Sequence, residues 1–297
     1  MDLRQLEIFA KVAEFGSFSK AAAALFLTQP TVSEHVRTLE EELGVRLLDR
    51  LGRGAAVTRA GELLLSYATR MLALQREARQ AMDNFQGRMS GELLVGASTI
   101  PGEYVIPLMI GRFKEKFPDI SITLLIGDSQ TVVDWVAEGR AELGVVGARL
   151  PHRSVEYREL MPDDMVVVVP AAHAWHGKRQ VTLEDLRGEP LLIRERGSGT
   201  RAALERALVE AGLDLGAFRI VGEMGSTQAI KQAVKAGVGV SVISKRAVEE
   251  ECRAGLLWCV RVKDLKVTRS FHVATHKDRS RSPLAEAFRA FLEAESA

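Results

Sequence analysis

Two polar segments carry residue types that suit binding of bases and phosphates. The first begins at Thr28 and continues as Gln-Pro-Thr-Val-Ser-Glu, with a basic residue at Arg37. Thr28 is a good N-cap, and Pro30 fits the first turn of a helix, where a missing N–H costs little. Short polar side chains on the exposed first half of such a helix suit base edges in a major groove. The candidate DNA-contacting residues here are Thr28, Gln29, Pro30, Thr31, Ser33, Glu34 and Arg37.

A helix of small residues and a tight turn precede this segment. Ala22 and Leu25 allow close packing, while Val36 and Leu39 anchor the second helix, so the pattern predicts a helix-turn-helix. Ser17 or Ser19 is expected to cap the first of the two helices, and Ser19 joins the DNA-contacting candidates.

The hairpin that should follow adds cations to a segment that is not basic overall. Residues 1–57 hold seven basic and eight acidic side chains. Val45–Val57 contains Gly52 and Gly54 and predicts a small β-hairpin, or wing, on which Arg50 and Arg53 would reach phosphate or the minor groove. An ordinary helical bundle with a solvated charged loop is the alternative.

The second polar segment is Gly197-Ser-Gly-Thr, between a predicted strand that ends at Arg194 and a predicted helix. Glycines let the backbone approach a ligand, and N–H groups at a helix N-terminus favour an anion. Arg196 and Arg201 add charge. Simple helix capping by Ser198 or Thr200 is the alternative, and Glu195 could neutralise one arginine.

Further hydroxyls and glycines follow other predicted strands. In doubly wound sheets ligands lie beyond the carboxyl ends of the strands, so these positions should converge. Each of them alone is more often a helix cap than a ligand contact. The candidate effector-binding residues are Ser98, Thr99, Ser129, Gly147, Arg194, Ser198, Gly199, Thr200 and Ser226.

The chain that positions these segments has 297 residues, of which 46% are hydrophobic and 27% charged, with a net charge of +1. This is an ordinary globular balance for about two domains, and it excludes a disordered chain, a collagen and a disulfide miniprotein. We expect Cys252 and Cys259 to be free thiols. The start has no secretory signal and no stretch could span a bilayer, so we expect a soluble cytoplasmic protein.

A long helix over residues 59–86 should follow the first domain. Apolar or small residues recur in it at alternating spacings of 4 and 3, from Ala60 to Phe85. This heptad pattern predicts a coiled-coil seam that pairs two chains. The alternative is a helix packed on its own domain. The seam residues that we expect to dimerise are Leu64, Tyr67, Met71, Leu74 and Ala78.

From Glu92 onward, strands alternate with helices. The pattern predicts an α/β fold with mostly parallel, doubly wound sheets, as one domain or two lobes. Val155–Leu160 and Met165–Val169 are predicted as separate strands, and Val105–Phe117 as a helix.

Enzyme signatures are missing from this sequence. Gly197-Ser-Gly is not a nucleophile elbow, and Gly237-Val-Gly lacks the third glycine of a dinucleotide fingerprint. His173 and His176 have no third metal ligand nearby, and we expect them to lie in a surface loop. His272 and His276 are expected to lie in the core or at the surface rather than in a catalytic site. We therefore expect no catalytic residues, no metal and no cofactor. The competing hypotheses are a small-molecule enzyme or binding protein whose N-terminal helices only dimerise, and a purely structural helix-turn-helix scaffold.

Residues 3–65 resemble the N-terminus of LysR-type transcriptional regulators. The matching pieces include Gly16-Ser-Phe-Ser, Leu27-Thr-Gln-Pro-Thr-Val-Ser, Leu43-Gly and Thr58-x-Ala-Gly. The resemblance implies a winged helix-turn-helix in residues 1–58, a dimerising linker helix in 59–90, and a two-lobed, periplasmic-binding-protein-like (type 2) effector domain in 91–297. It places lobe I at about 91–162 and 267–297, and lobe II at about 163–266.

The segments at Arg194, Gly225 and Ala236 are similar to one subset of that family, the regulators of sulfur assimilation, carbon fixation and selenium-linked metabolism, and the Ile100-Pro-Gly-Glu-Tyr segment most resembles the selenium-associated group. This implies a small effector between the lobes, an oxyanion or a phosphorylated metabolite. The expected partners are double-stranded operator DNA, further copies of the chain in a homodimer or homotetramer, and RNA polymerase.

Overall fold

The fold is described from a computed structural model, over residues 1–51, 54–85 and 89–296. It divides into two compact units, one of residues 1–87 and 138–140 and one of residues 88–137 and 141–297. Within the described part of the chain, no helix is long and apolar enough to cross a membrane.

The first unit contains short helices, a hairpin and one long helix. Their bounds are α1 (Leu3–Phe15), α2 (Phe18–Ala24), α3 (Gln29–Leu43), β1 (Leu48–Leu51), β2 (Gly54–Val57) and α4 (Arg59–Phe85). Asp2 and Gln5 form a capping box at α1, and Gly16 ends it in the left-handed conformation. Ser17, rather than Ser19, caps α2. The helix-turn-helix and the antiparallel wing therefore form where the sequence predicts them.

The first unit has its own core, formed mainly by α1, α2 and α3. Phe9, Val12 and Leu39 are fully buried in it. Leu64 and Met71 of α4 pack against this core, whereas Tyr67 and Leu74 are 51% and 64% exposed. The predicted seam residues thus lie on two faces of α4. The face with Leu64 and Met71 packs on its own unit, as the alternative prediction stated, and the face with Tyr67 and Leu74 is exposed. Ala78 is exposed, and the side chains of Ala81 and Phe85 lie outside the described part.

The connection between the wing and α4, at Thr58, is held by hydrogen bonds and close packing. The Thr58 hydroxyl donates to the Arg46 carbonyl (2.8 Å) and accepts the Gly61 N–H (3.0 Å). The Thr58 N–H donates to the carbonyl of Leu47 at 3.0 Å. A Cβ on Gly61 would lie 2.1 Å from that same Leu47 oxygen. The Thr58-x-Ala-Gly motif therefore lets α4 start against the backbone that enters the wing.

Replacing Gly61 by Ala should destabilise the first unit by about 1–3 kcal/mol, because the added methyl group meets backbone that cannot rotate away. Chemical denaturation of the full chain measures this. The matched control is Gly111→Ala in a helix of the second unit, where a Cβ meets nothing within 4 Å. That change should stabilise its helix by up to about 1 kcal/mol. Equal effects of the two substitutions would contradict the packing assigned to Gly61.

The second unit alternates strands and helices. Its strands are β3 (Gly91–Ser98), β4 (Ile120–Gly127), β5 (Leu143–Val146), β6 (Val155–Pro170), β7 (Gln180–Val181), β8 (Pro190–Arg194), β9 (Arg219–Met224), β10 (Val240–Ser244), β11 (Leu257–Val262) and β12 (Thr268–His276). Its helices are α5 (Thr99–Tyr104), α6 (Ile106–Lys116), α7 (Ser129–Glu138), α8 (Leu183–Gly188), α9 (Gly199–Glu210), α10 (Thr227–Lys235), α11 (Glu249–Arg253) and α12 (Pro283–Ser296), with short 3-10 turns at Leu215–Ala217 and Lys245–Val248.

The strands pair in the order β4-β3-β5-β12-β6-β10-β8-β9, and β11 pairs with β6 and β7. We call lobe I the part around β3, β4 and β5, and lobe II the part around β8, β9 and β10. The outer strands of each lobe are parallel, as predicted. The central strands β6 and β12 run antiparallel to each other and to their other partners of the main order, so the sheet is mixed rather than mostly parallel.

The crossing strand β6 corrects two predicted boundaries. Val155–Leu160 and Met165–Val169 belong to one strand of 16 residues, because Met161–Asp164 pair with β12 through the polar segment that separates the two apolar runs. The helix predicted at Val105 is also preceded by a separate helix, α5, which begins at Thr99. Each lobe has its own core, around Phe113 and Phe271 in lobe I and around Leu191 and Leu208 in lobe II.

The prediction of free thiols is wrong in this structure: Cys252 and Cys259 form a disulfide. Helix α11 ends at Arg253, and the chain turns back through Gly255, which has a φ of 70°, into β11. This reversal brings the two Cα atoms to 6.7 Å, within the range that a disulfide spans. Composition gave no sign of the pairing because it depends on this local turn.

Candidate DNA-contacting and effector-binding sites

Helix α3 presents most of the candidate DNA-contacting side chains. Thr28 caps it, and its hydroxyl lies 2.8 Å from the Thr31 hydroxyl. Gln29 and Pro30 are exposed, whereas Thr31 and Ser33 are half-buried. The buried face of α3 is formed by Val32, Val36 and Leu39. Ser19 is exposed on α2. The polar residues of the first turn thus face away from the core, as a recognition helix requires.

Glu34 and Arg37 are paired with each other on α3. Arg37 Nη2 lies 2.6 Å from Glu34 Oε1, and Arg37 Nη1 lies 3.4 Å from Glu41. The hydrogen bond from Arg37 lowers the pKa of Glu34, and the same bond raises the pKa of Arg37. Binding of either side chain to DNA would replace this exposed pair.

Two wing arginines cannot be placed. Arg53 and the side chain of Arg50 lie outside the described part of the chain. Only the backbone of Arg50 is positioned, on β1 opposite Ala55. Glu40 fixes the entry to the wing, since its Oε1 accepts the N–H groups of Leu47 (2.7 Å) and Leu48 (3.1 Å).

In the second unit, the ends of the lobe I strands bring several candidate effector-binding residues together. The Ser98 hydroxyl accepts the N–H of Gly147 at 3.0 Å. The Thr99 hydroxyl donates to the carbonyl of Gly127 at 3.4 Å. Ser129 begins α7 beyond the end of β4 and is fully buried. The prediction that these strand ends share one site agrees with these contacts.

Arg194 connects lobe II to lobe I. Its Nε and Nη2 each donate at 2.6 Å to Glu195, and its Nη1 donates to the Thr227 hydroxyl at 2.5 Å. Its Nη2 also lies 3.3 Å from the Thr99 hydroxyl of lobe I. Glu195 therefore neutralises Arg194, as the sequence left open. Arg201 is likewise neutralised, by ion pairs with Glu205 and Glu223.

The Gly-Ser-Gly-Thr turn lies against lobe I. Ser198 caps α9 by accepting the N–H of Thr200. A Cβ on Gly199 would lie 2.7 Å from the backbone carbon of Gly147 and 3.0 Å from the Ser129 hydroxyl. Only glycine permits this approach of the two lobes. Ser226 caps α10 through the N–H of Ala229, so the structure gives it the capping role.

Next to this turn lies a buried ion pair that we did not predict from the sequence. Arg269 on β12 donates through Nε to Asp163 on β6 at 2.8 Å, and through Nη1 to the Thr200 hydroxyl at 3.2 Å. Asp163 also accepts the Ser244 hydroxyl at 2.6 Å. A Cβ on Gly147 would lie 2.7 Å from Arg269 Nη1, so the guanidinium lies directly beside the predicted site. Burial lowers the pKa of Arg269, and the carboxylate of Asp163 opposes that shift.

Two buried polar atoms at this place have no hydrogen-bond partner within the described residues: the Ser129 hydroxyl and Arg269 Nη2. Leaving such a donor unpaired costs about 1–3 kcal/mol, and more for a charged group. Native structures seldom keep such groups without a functional reason. A ligand with acceptor oxygens would satisfy both groups.

The period of the strands carries part of the signal for this pair. Arg269 and Phe271 alternate along β12 and are both buried, as is Val267 just before the strand. In the register Arg269 pairs with Asp163 of β6 and Phe271 with Met161. An arginine and an aspartate on the apolar faces of two strands indicate a buried pair. The signal needs the pairing of the strands, which the sequence did not provide.

His272 is a second buried titratable group of β12. Burial lowers its pKa, Arg149 lowers it further, and its Nδ1 has no partner within the described residues. Its ring meets the Tyr157 ring edge-on at 6.5 Å. The sequence left open whether His272 lies in the core or at the surface. The structure buries it, and its lowered pKa favours the neutral imidazole.

The stability of the second unit should fall as the pH drops below the unfolded histidine pKa of about 6.5, because the unfolded chain then binds a proton that folded His272 does not. The slope contributed is at most about 1.4 kcal/mol per pH unit. Urea unfolding between pH 7.5 and 5 measures it in the wild type and in His272→Asn. The variant should lose less stability over that interval; parallel pH profiles would contradict the assignment.

Comparison with known proteins agrees with this architecture. The family model for the bacterial regulatory helix-turn-helix protein, lysR family, matches residues 3–62, and the model for the LysR substrate binding domain matches residues 86–297. A probable RuBisCO transcriptional regulator of Nostoc sp. is 35% identical over 289 residues, covering 96% of this chain and 86% of that protein.

Solved structures match both the whole chain and the second unit. Full-length CbnR complexed with its target DNA superposes with a TM-score of 0.74 at 24% identity and full coverage of both chains, which shows the fold. The Synechocystis CcmR regulatory domain in complex with 2-PG has a TM-score of 0.63 at 26% identity, covering 70% of this chain and 98% of that one. The chain belongs to the LysR family of transcriptional regulators, with a helix-turn-helix DNA-binding domain and an effector-binding domain, and the named relatives are regulators rather than enzymes.

Proposed function

We propose that this regulator binds operator DNA in the cytoplasm and changes that binding when a small oxyanion or phosphorylated metabolite occupies the site between lobe I (91–162 and 267–297) and lobe II (163–266). One observation carries the proposal: buried Arg269 Nη2 and the buried Ser129 hydroxyl are unpartnered within the described residues and lie beside Gly147, Gly199 and Thr200.

The charges of the site favour a small anion bound largely by dipoles. Arg194 is paired with Glu195 and Arg269 with Asp163, so each cation already has a countercharge. The remaining attraction comes from N–H groups at the start of α9, and from the Ser129 hydroxyl and Arg269 Nη2, which have no partner within the described residues. Tetrahedral oxyanions present several acceptors in a small volume, which suits donors that converge from both lobes.

For the operator, the proposed base contacts are Gln29, Thr31 and Ser33, and Pro30 is assigned to the DNA-facing first turn of α3. Each good base contact is worth about 1–3 kcal/mol of discrimination. Thr28 and Ser19 are assigned to phosphates, and Arg50 and Arg53 to the backbone or the minor groove. Glu34 and Arg37, which form an exposed pair, are assigned to the rim of that interface.

The linker helix should make the protein a homodimer, and pairs of dimers a homotetramer, so that the half-sites lie about one helical turn or a multiple apart. RNA polymerase is the proposed partner for activation. The named relatives support carbon-fixation genes as targets, and the complex of the Synechocystis domain supports 2-PG as one effector to test.

An effector acts on DNA only through different affinities for two lobe arrangements. A hundredfold preference contributes about 2.7 kcal/mol to the shift. The contacts between Thr99 and Arg194 and between Gly147 and Gly199 join the lobes, so they are the contacts that such a shift changes.

Thermal-shift measurements with sulfate, phosphate and 2-PG, against chloride at matched ionic strength, test the proposal. At least one oxyanion should raise the melting temperature of the wild type and give little rise in Thr99→Ala and Thr200→Ala. The matched control is Thr268→Ala, an exposed threonine next to Arg269, which should respond as the wild type does. Normal responses of both site variants, or a response to apolar ligands alone, would refute the anion site.

A further inference from the structure

We propose that Cys252 and Cys259 form a thiol–disulfide exchange site in lobe II, through which a dithiol reductant or a low-molecular-weight disulfide adjusts the response of this regulator. The pair closes a loop between α11 and β11, with a sequence separation of 7. Both residues are half-buried and pack against the apolar cluster around Ile230 and Val234, so the pair is not fully enclosed by the protein. In a reducing compartment, where a DNA-binding regulator works, disulfides are transient and serve catalysis or redox sensing.

Glu251, the residue before Cys252, connects the disulfide to Lys231 of α10. Glu251 Oε1 lies 2.7 Å from Lys231 Nζ and 3.7 Å from Lys235 Nζ. The side chain of Lys231 is 6% exposed, so its ammonium depends on this carboxylate for charge compensation. Helix α11 has only 5 residues, and the disulfide ties it to β11. Opening the disulfide therefore frees the short helix that holds Glu251 against Lys231.

Lys231 extends the connection to lobe I. Its Nζ donates to the Tyr104 hydroxyl at 3.1 Å and to the Ala247 carbonyl at 3.0 Å. Tyr104 ends α5, the helix that begins at Thr99 of the proposed effector site. Lys231 belongs to α10, next to Thr227, which contacts Arg194. The path Cys252–Glu251–Lys231–Tyr104 thus joins the disulfide to a contact between the lobes.

The exchange step is balanced without any further reactant. A thiolate of the reductant attacks one sulfur of the Cys252–Cys259 bond and forms a mixed disulfide, while the other cysteine leaves as a thiolate and takes up a proton. The second thiol of the reductant then displaces the remaining cysteine. Two electrons and two protons pass to the protein, and the reductant becomes a disulfide. The reverse exchange with a small disulfide restores the bond.

The test equilibrates the full chain with oxidised glutathione or with reduced dithiothreitol, counts free thiols by alkylation and mass spectrometry, and measures operator affinity with and without phosphate. We expect zero free thiols in the oxidised sample, two in the reduced sample, and at least a threefold difference between the two states in the phosphate-dependent change of affinity. The double variant Cys252→Ser/Cys259→Ser should behave like the reduced wild type in both buffers.

Two further variants separate the coupling from simple loss of stability. Glu251→Gln keeps the cysteines but removes the carboxylate that compensates the charge of Lys231, and it should abolish the difference between the redox states. Glu249→Gln, on the same helix and paired only with exposed Arg253 in the contacts described, should keep the difference. The proposal is overturned if folded wild type keeps two free thiols under oxidation, or if the two redox states differ neither in operator affinity nor in its response to phosphate. A wild-type redox difference in operator affinity without phosphate would still support it when phosphate itself does not bind.

Discussion

Replacing Arg269 by Met should destabilise the second unit by about 3–5 kcal/mol, the largest single effect on stability that we expect. The substitution removes the cation that lies 2.8 Å from Asp163, and it leaves a carboxylate that is fully buried. Among the described residues, the Ser244 hydroxyl and Arg246, at 3.7 Å, would then remain near that charge. Urea unfolding of the full chain measures the loss.

The double variant Arg269→Met/Asp163→Asn distinguishes a charge effect from a packing effect. Asn keeps an acceptor for Ser244 but carries no charge, so the double variant should recover more than half of the lost stability. It should nevertheless fail to respond to oxyanions, because Arg269 Nη2, the donor without a partner in the described residues, is gone. A loss below about 1 kcal/mol in the single variant, or a larger loss in the double variant, would contradict the buried pair.

Charging the exposed face of α4 should separate the dimer. Tyr67→Glu with Leu74→Glu puts like charges at two positions seven residues apart, which are 51% and 64% exposed in the single chain. The expected result is a monomer with at least a hundredfold weaker operator binding, because one recognition helix is left per molecule. Sedimentation and an operator titration measure the two effects. Leu64 is unsuitable for this test because it packs on its own core.

The control for that experiment carries the same added charge on another face of the helix. Ser66→Glu with Ala73→Glu lies off the Ala60–Phe85 heptad positions, again seven residues apart. This variant should stay dimeric and bind the operator normally. A charged seam variant that keeps wild-type size and affinity would show that α4 does not pair the chains through Tyr67 and Leu74.

The elements fixed by local chemistry were predictable from sequence. Thr28, Pro30 and Gly44 mark the bounds of α3, and Thr58 marks the start of α4, because caps and glycine turns depend on a few neighbouring residues. The strand ends at Ser98 and Ser129 were also predictable, since a strand–helix alternation implies where its loops lie.

What depended on pairing between distant strands was not predictable. Asp163 falls in a polar stretch that looks like a loop, yet pairing with β12 makes it the middle of one long strand. The role of Arg269 as the partner of Asp163 follows only from that register. The cysteine pair likewise depends on the turn at Gly255, and the two faces of α4 on which residues the core of the first unit covers. Local sequence patterns do not show the register of β6 against β12, the chain reversal that joins the two cysteines, or the side of α4 that the core covers.

The measurement that tests the central claim most directly is operator affinity with and without a stabilising oxyanion, in the wild type and in Arg269→Met/Asp163→Asn, at two salt concentrations. We predict that the oxyanion shifts the Kd of the wild type by at least fivefold at both salt concentrations. The double variant should bind the same operator with the unliganded Kd whether or not the oxyanion is present. An equal shift in both proteins, or no shift in the wild type with any oxyanion that stabilises it, would contradict the claim that an anion between the lobes controls DNA binding.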